Sequence, residues 1–284
     1  MDGTPIDALS YLASGAVLGL AGGLSFAFAG TLADVLAPSG AFMVAAIGAS
    51  GALAIAFFCI APRIAPRTDH PIGKLLDFRP VLRNRPAMAY AAAYCVHTWE
   101  MSALRGWGVV FLTWVAAQTG DETHGWLAPV MVVTVMALMG TGSSVIGNEL
   151  AIRFGRIRIV RTAMVLGIFI ALGFGWVGSF DYQVATLVVV TYGIVIWLDS
   201  SALTAGTAGN AEPERRGATL AVHSMLGYAG GFVGPVVIGI ILNASGGQSH
   251  IGWWLAFAHL ALIGLIGRLV FDWLGPRELK EEQK

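Results

Sequence analysis

Long apolar stretches recur along the whole chain, and they constrain its fold more than any other feature. Of the 284 residues, 56% are hydrophobic and only 12% are charged, whereas a soluble domain has about 25% charged residues. A helix needs roughly 20 apolar residues to cross the hydrocarbon core of a bilayer. The sequence therefore predicts an all-α polytopic membrane protein with eight transmembrane helices. The predicted spans cover residues 11–36, 40–61, 87–117, 126–147, 161–179, 183–208, 217–242 and 252–272.

The basic residues occupy alternate connections between these spans. Loop 62–86 contains six lysines and arginines, and segment 148–161 contains four arginines. The connections near 37–39, 118–125, 180–182 and 243–251 contain neither residue. Cytoplasmic loops of membrane proteins carry an excess of lysine and arginine. We therefore expect both termini to be cytoplasmic, in a protein integral to the inner or plasma membrane.

A short sequence occurs twice along the chain. Leu18–Gly23 reads LGLAGG, and Leu226–Gly231 reads LGYAGG. A repeat at this separation indicates duplicated multi-helix units, although Gly/Ala-rich helices can also repeat such a block by chance. Pairing span one with span seven makes the unit six spans long. The chain then divides into a partial N-terminal bundle of two helices (1–61), a basic cytoplasmic central loop (62–86), a six-helix C-terminal bundle (87–272) and a cytoplasmic tail (273–284).

A six-span unit that is repeated, with a long basic loop between the two copies, resembles the six-plus-six arrangement of the major facilitator superfamily. Two motifs add to this resemblance, which covers essentially the whole chain. Gly147–Arg158, GNELAIRFGRIR, is similar to the family's loop motif G-x-x-x-D-R-x-G-R-R. Gly230–Pro235, GGFVGP, is similar to the G-x-x-x-G-P part of its Gly/Pro-rich helix motif. The resemblance implies a helix-packing role for Gly230, Gly234 and Pro235.

The loop motif also departs from the family pattern. Arg153, Gly155 and Arg156 match it, but Ile152 stands where the family has aspartate. Losing that acid removes the usual charge partner of a gate at the helix ends, and Glu149 is the acid that could replace it. The resemblance thus implies a gating loop formed by Glu149, Arg153, Gly155 and Arg156.

The resemblance places the chain at spans five to twelve of a twelve-span transporter. It is expected to lack the first four transmembrane helices of the family and to retain the last two of the N-terminal bundle. Two interpretations follow besides an independent transporter. The chain could be a truncated fragment that does not transport, or a half that needs a partner chain to rebuild the cavity.

Four ionisable residues lie within predicted spans. The third span carries His97, Glu100 and Arg105, and the sixth carries Asp199. A charged side chain at the bilayer centre costs about 2.5–3.5 kcal/mol, so it needs a partner or water. On a helix, the first three residues fall within an arc of about 140° that can face a cavity. We predict that the four form a substrate- or proton-binding cluster, the alternative being a structural ion pair that locks two helices together. Three tryptophans flank this cluster, and they are either packing residues or part of a cavity wall: Trp99, Trp107 and Trp197.

These features favour a secondary active transporter, working by alternating access and coupled to protons, over an enzyme. Its expected partners are the lipid bilayer, the proton and a small polar or organic solute, for which Arg105 favours an anion. No phosphate-binding loop indicates ATP drive, and we expect no cofactor, metal or nucleic acid. A remote alternative is an intramembrane serine protease, because Gly142–Val145 fits G-x-S-x and His223 is a conceivable base.

Overall fold

The computed structural model describes residues 24, 28, 32, 35, 39–55, 57–59, 77–121 and 123–279. The regular structure of these residues is helical throughout, with short 3-10 turns at Gly125–Leu127 and Pro213–Arg215. Most of the predicted first span, the LGLAGG block and most of loop 62–86 lie outside the described residues. The helices are α1 (Ser39–Cys59), α2 (Arg79–Arg83), α3 (Arg85–Thr119), α4 (Pro129–Phe154), α5 (Arg156–Val177), α6 (Tyr182–Trp197), α7 (Ser200–Gly209), α8 (Arg216–Ala244) and α9 (His250–Leu274).

Within the described residues, six helical segments are long and apolar enough to cross a membrane. They are Ser39–Cys59, Pro129–Phe154, Arg156–Val177, Tyr182–Gly209, Pro213–Ala244 and His250–Leu274. The all-α membrane architecture is therefore confirmed, while the count of eight spans stays a prediction. Helix α3 is the longest of the described helices but is not among the six, and it carries three of the four ionisable residues singled out above.

Helix α3 lies at the centre of the bundle, in contact with α4, α6, α7, α8 and α9. It begins after Asn84, whose side chain accepts a hydrogen bond from the Ala87 amide, and it ends at Gly120, where φ is +74°. Its buried positions include the alanines 87, 89, 91, 93 and 103. Small side chains allow neighbouring membrane helices to approach closely, so one helix can contact five others.

The glycine face of α8 packs directly on the backbone of α3. A Cβ atom added at Gly230 would overlap the Cys95 carbonyl, and one added at Gly234 would overlap the carbonyl of Trp99. The Trp107 indole of α3 donates a hydrogen bond of 2.8 Å to the Pro235 carbonyl. Gly230, Gly234 and Pro235 thus lie where α8 and α3 are in backbone contact.

The predicted sixth span, 183–208, lies within the candidate membrane segment Tyr182–Gly209, but two helices form it rather than one. It is interrupted at Leu198 and Asp199, between α6 and α7. The Ser143 hydroxyl of α4 donates a 2.7 Å hydrogen bond to the Ile194 carbonyl, and the Leu198 amide turns to Val195 instead, at 3.2 Å. Gly147 of α4 leaves room for the Leu198 carbonyl, because any side chain there would overlap it. The interruption is therefore fixed by a neighbouring helix.

Candidate functional site

Among the four ionisable residues of the predicted cluster, the closest contact joins His97 of α3 to Asp199 at the α6–α7 interruption. His97 Nδ1 lies 3.0 Å from Asp199 Oδ1, and the two residues are 3% and 5% exposed. The atoms are at hydrogen-bond distance but are not aligned for a hydrogen bond, so the contact is an ion pair when the imidazole carries a proton. A buried pair of this kind is expensive to break by removing one partner, at about 3–5 kcal/mol.

Tyr94 stacks on His97 and extends the site towards α8. Its ring centroid lies 5.6 Å from that of His97 and 3.9 Å from that of His223, with interplanar angles of 17° and 20°. His223 Nδ1 lies 3.1 Å from the Thr207 hydroxyl, which itself donates to the Leu203 carbonyl. A hydroxyl has one proton to donate, so we assign the proton in this contact to Nδ1 of His223. His223 is a buried member of this stack.

Arg105 lies about two turns beyond His97 on α3 and contacts an aromatic ring. Its Cζ atom is 5.0 Å from the centroid of the Trp197 ring, a cation–π geometry. The same ring lies edge-on to His97, with centroids 6.4 Å apart. Gly140 of α4 makes the room for it, since an added Cβ there would lie 2.7 Å from the indole. Trp197 therefore connects Arg105 with the His97–Asp199 pair.

Glu100 occupies a separate niche on another side of α3. Its Oε1 accepts a long hydrogen bond of 3.4 Å from the Tyr192 hydroxyl of α6. A Cβ added at Gly264 of α9 would lie 3.2 Å from Oε1, and one added at Gly167 of α5 would lie 4.0 Å away. The carboxylate thus points between α5, α6 and α9. The four residues expected to form one cluster divide into a pair with a nearby cation and an enclosed carboxylate.

Two of the three flanking tryptophans turn away from the pair. The Trp99 indole donates a 3.2 Å hydrogen bond to Nε2 of His259 on α9, and the Trp107 indole bonds to α8 as described above. Both side chains therefore pack between α3 and its neighbours, and Trp197 is the one of the three that contacts the site.

The residues of the loop motif lie at the junction of α4 and α5, where Gly155 has φ of +94°. Arg153 and Glu149 form an exposed i,i+4 ion pair of 2.7 Å. Arg156 is buried and donates 3.1 Å hydrogen bonds to the Asn148 side chain and the Ala202 carbonyl. This junction joins α4, α5 and α7 at the arginine-rich end of the bundle.

A tail residue supplies an acid at this same junction. The Glu278 carboxylate accepts hydrogen bonds from the amides of Arg156, at 2.9 Å, and Ile157, at 3.0 Å. A carboxylate at this position satisfies free amides and complements the helix dipole at the start of α5. Sequence reasoning missed Glu278, because nothing in the tail sequence indicates which helix end it reaches.

The residues of the protease-like pattern are engaged in helix packing. The Ser144 hydroxyl lies 2.6 Å from that of Ser201, which joins α4 to α7, and His223 bonds to Thr207. Among the described residues, no group of three histidine, cysteine or acidic side chains is placed to hold a metal ion. The arrangement at the centre of the bundle offers ion pairing, proton binding and cation–π contact.

Tyr94 and Thr207 were not among the predicted site residues. A signal for Tyr94 was present, since it precedes His97 by three positions and so shares its helix face. Thr207 gave no comparable signal, because its contact with His223 depends on how α7 and α8 meet.

Comparison with known proteins identifies the family of the chain that contains this site. A family model described as Major Facilitator Superfamily matches residues 8–235. A search of curated proteins finds no match to the chain. The matched range covers most of the sequence, from the first predicted span to Pro235 of α8. The chain therefore belongs to the major facilitator superfamily, whose members are generally membrane transporters.

Proposed function

We propose that the protein is a secondary active symporter that couples proton movement to the uptake of a small polar or organic solute by alternating access. The observation that carries the proposal is the buried His97–Asp199 pair, placed at the interruption of an apolar span. Discontinuous helices form solute and coupling-ion sites in many transporters. Ionisable residues inside a membrane are costly and commonly mark transport pathways.

The His97–Asp199 pair provides a reason for proton coupling. With a proton on the imidazole, the pair is neutral overall. Without it, the Asp199 carboxylate keeps a buried negative charge and loses its counter-charge, which a low-dielectric site disfavours. Because the two residues belong to α3 and to the α6–α7 interruption, gain or loss of one proton changes how strongly these elements are held together. This is the change that a conformational cycle driven by protons requires.

Arg105 is the cation through which the same region would recognise an anionic group. It is partly exposed, unlike the buried pair, and a guanidinium can bind a carboxylate through two parallel hydrogen bonds. Its contact with Trp197, whose ring also lies edge-on to His97, supports a solute-binding role for Arg105 beside the pair. A bound anion and a bound proton would then act on neighbouring side chains.

The proposed orientation has both termini in the cytoplasm of a cell whose inner or plasma membrane holds the protein. Arg85 at the start of α3 donates a 2.6 Å hydrogen bond to the Trp273 carbonyl at the end of α9. Arg161 near the start of α5 pairs with Asp272 at 2.8 Å. The arginines therefore gather at one end of the bundle, which supports placing that end inside. The division at loop 62–86 into two helix bundles belongs to the same proposal.

Proton flux into proteoliposomes tests this function directly. The full-length protein is reconstituted with the pH-sensitive dye pyranine inside, and sugars, carboxylates and amines are added outside one at a time. We expect one class of solute to acidify the lumen. Asp199→Asn should abolish this flux, while Glu212→Gln, which changes an exposed carboxylate paired with Arg215, should preserve it. Solute-driven acidification that survives Asp199→Asn would refute the assignment of this pair.

A further inference from the structure

A groove of about 390 Å³ lies between α3 and α8, with Tyr94 in its wall. This volume is within the range of small-molecule sites, roughly 300–1,000 Å³. Its walls include Tyr94, Met101 and Ser102 of α3, and Ser224, Tyr228 and Phe232 of α8. None of the described residues that line it is charged. The groove therefore suits an uncharged part of a ligand.

The lining offers hydroxyl groups whose hydrogen bonds are available. Within the described part of the chain, the hydroxyls of Tyr94, Ser102, Ser224 and Tyr228 make no hydrogen bond to another residue. Tyr228 is 82% exposed and Phe232 is 74% exposed, so both rings present apolar surface to a ligand. Hydroxyls beside apolar rings match a ligand that itself carries both hydroxyl groups and C–H faces.

Arg105 is not among the lining residues, but it lies one turn beyond two of them on α3. It follows Met101 by four residues and Ser102 by three, which places the three side chains on one face of α3, within an arc of about 100°. At the same level, Gly106 and Pro235 bring α3 and α8 together, since an added Cβ on Gly106 would lie 3.7 Å from the Pro235 ring. A cation thus follows the groove's lining residues along the same face of α3.

We propose that the α3–α8 groove binds the hydroxylated carbon frame of a sugar acid, whose carboxylate is held by Arg105. This proposal rests on the proposed transport function, for which it names the solute class. The ligand hydroxyls would exchange hydrogen bonds with Ser102, Ser224 and the two tyrosines. Its C–H face would pack on Phe232, and the guanidinium would bind the carboxylate. A site built for hydrogen bonds discriminates strongly against analogues that lack the matching groups.

Equilibrium binding to three matched compounds tests this class. The purified full-length protein is placed in lipid nanodiscs, which avoid sugar-based detergents, and titrated calorimetrically without a pH gradient. D-Glucuronate has both features, D-glucose lacks the carboxylate, and cyclohexanecarboxylate lacks the hydroxyls. We expect D-glucuronate to bind at least about tenfold more tightly than either analogue, a difference of about 1.4 kcal/mol, because each analogue loses one set of hydrogen bonds. Equal affinities, or no binding of D-glucuronate, would overturn the proposal.

Substitutions test which side chains bind the carboxylate of the ligand and which bind its hydroxyl groups. Arg105→Gln should remove the preference for D-glucuronate over D-glucose. Ser102→Ala combined with Tyr228→Phe should remove the preference for D-glucuronate over cyclohexanecarboxylate. Thr162→Val on α5, whose exposed hydroxyl bonds to its own helix at Arg158, is the control and should preserve both preferences. Because binding needs no gradient, binding without proton flux would refute the coupling and leave the groove assignment standing.

Discussion

Asp199 and Glu100 are two buried carboxylates whose surroundings differ in one decisive respect. Asp199 lies 3.0 Å from an imidazole that can carry a positive charge. Glu100 lies 3.4 Å from the neutral hydroxyl of Tyr192, in a niche bounded by glycines of α5 and α9. Asp199 has a counter-charge, and Glu100 has a hydrogen-bond donor. Two acids of similar burial on neighbouring helices are therefore expected to respond differently when their charge is removed.

The largest expected effect is the loss of the charge on Asp199. Asp199→Asn removes the counter-charge of His97, and breaking a buried pair in this way costs about 3–5 kcal/mol. We expect a clear drop in the thermal unfolding midpoint of the protein, measured in lipid nanodiscs at a pH where the wild-type pair is formed. The size of the drop is the first measure of how much the counter-charge contributes.

The double variant His97→Asn/Asp199→Asn sharpens this prediction. It removes both charges, so no unpaired ion is left behind, and the unfolding midpoint should recover towards that of the wild type. Residues in contact show coupling energies of about 0.5–3 kcal/mol in such cycles. Additive losses from the two single variants would mean that the contact does not act as an ion pair.

The next largest expected effect is the loss of stability caused by adding a methyl group to the wall of the Glu100 niche. An alanine methyl at Gly264 would lie 3.0 Å from Ile168 Cγ1 and 3.2 Å from the Glu100 carboxylate. At Gly167 the nearest atoms would be 4.0 Å away, an ordinary contact distance. Overpacking a tight interior costs about 1–3 kcal/mol. Gly264→Ala should therefore lower the unfolding midpoint, while Gly167→Ala, its matched control, should leave it unchanged or raise it slightly. Equal effects of the two substitutions would show that the niche is not tight around the carboxylate.

The difference between the Asp199 and Glu100 sites also shows how much of the fold and of the candidate site could be predicted from the sequence. Hydropathy located the helices that the structure describes, because a bilayer imposes a minimum length on each apolar span. The interruption at Asp199 was not predictable in the same way, since it depends on Ser143 and Gly147 of another helix. Helical periodicity grouped Glu100 with His97 correctly on one arc of α3. Because α3 is surrounded by five helices, different parts of that arc face different neighbours. Helical periodicity alone therefore could not predict that Glu100 is enclosed between α5, α6 and α9 while His97 contacts Asp199.

The smallest expected effect is that of removing the charge of Glu100. Glu100→Gln keeps a carbonyl oxygen that can accept the Tyr192 hydrogen bond, so the interaction lost is worth no more than about 1 kcal/mol. We expect the unfolding midpoint to change little and solute-driven proton flux to persist. Tyr192→Phe, which removes the donor and leaves the carboxylate, is the complementary variant and should be the more destabilising of the two, because it leaves a buried acceptor without its partner. If Glu100→Gln abolished proton flux as Asp199→Asn is expected to, the enclosed carboxylate would be a proton carrier in its own right. The counter-charge of Asp199 would then not be what separates the two acids.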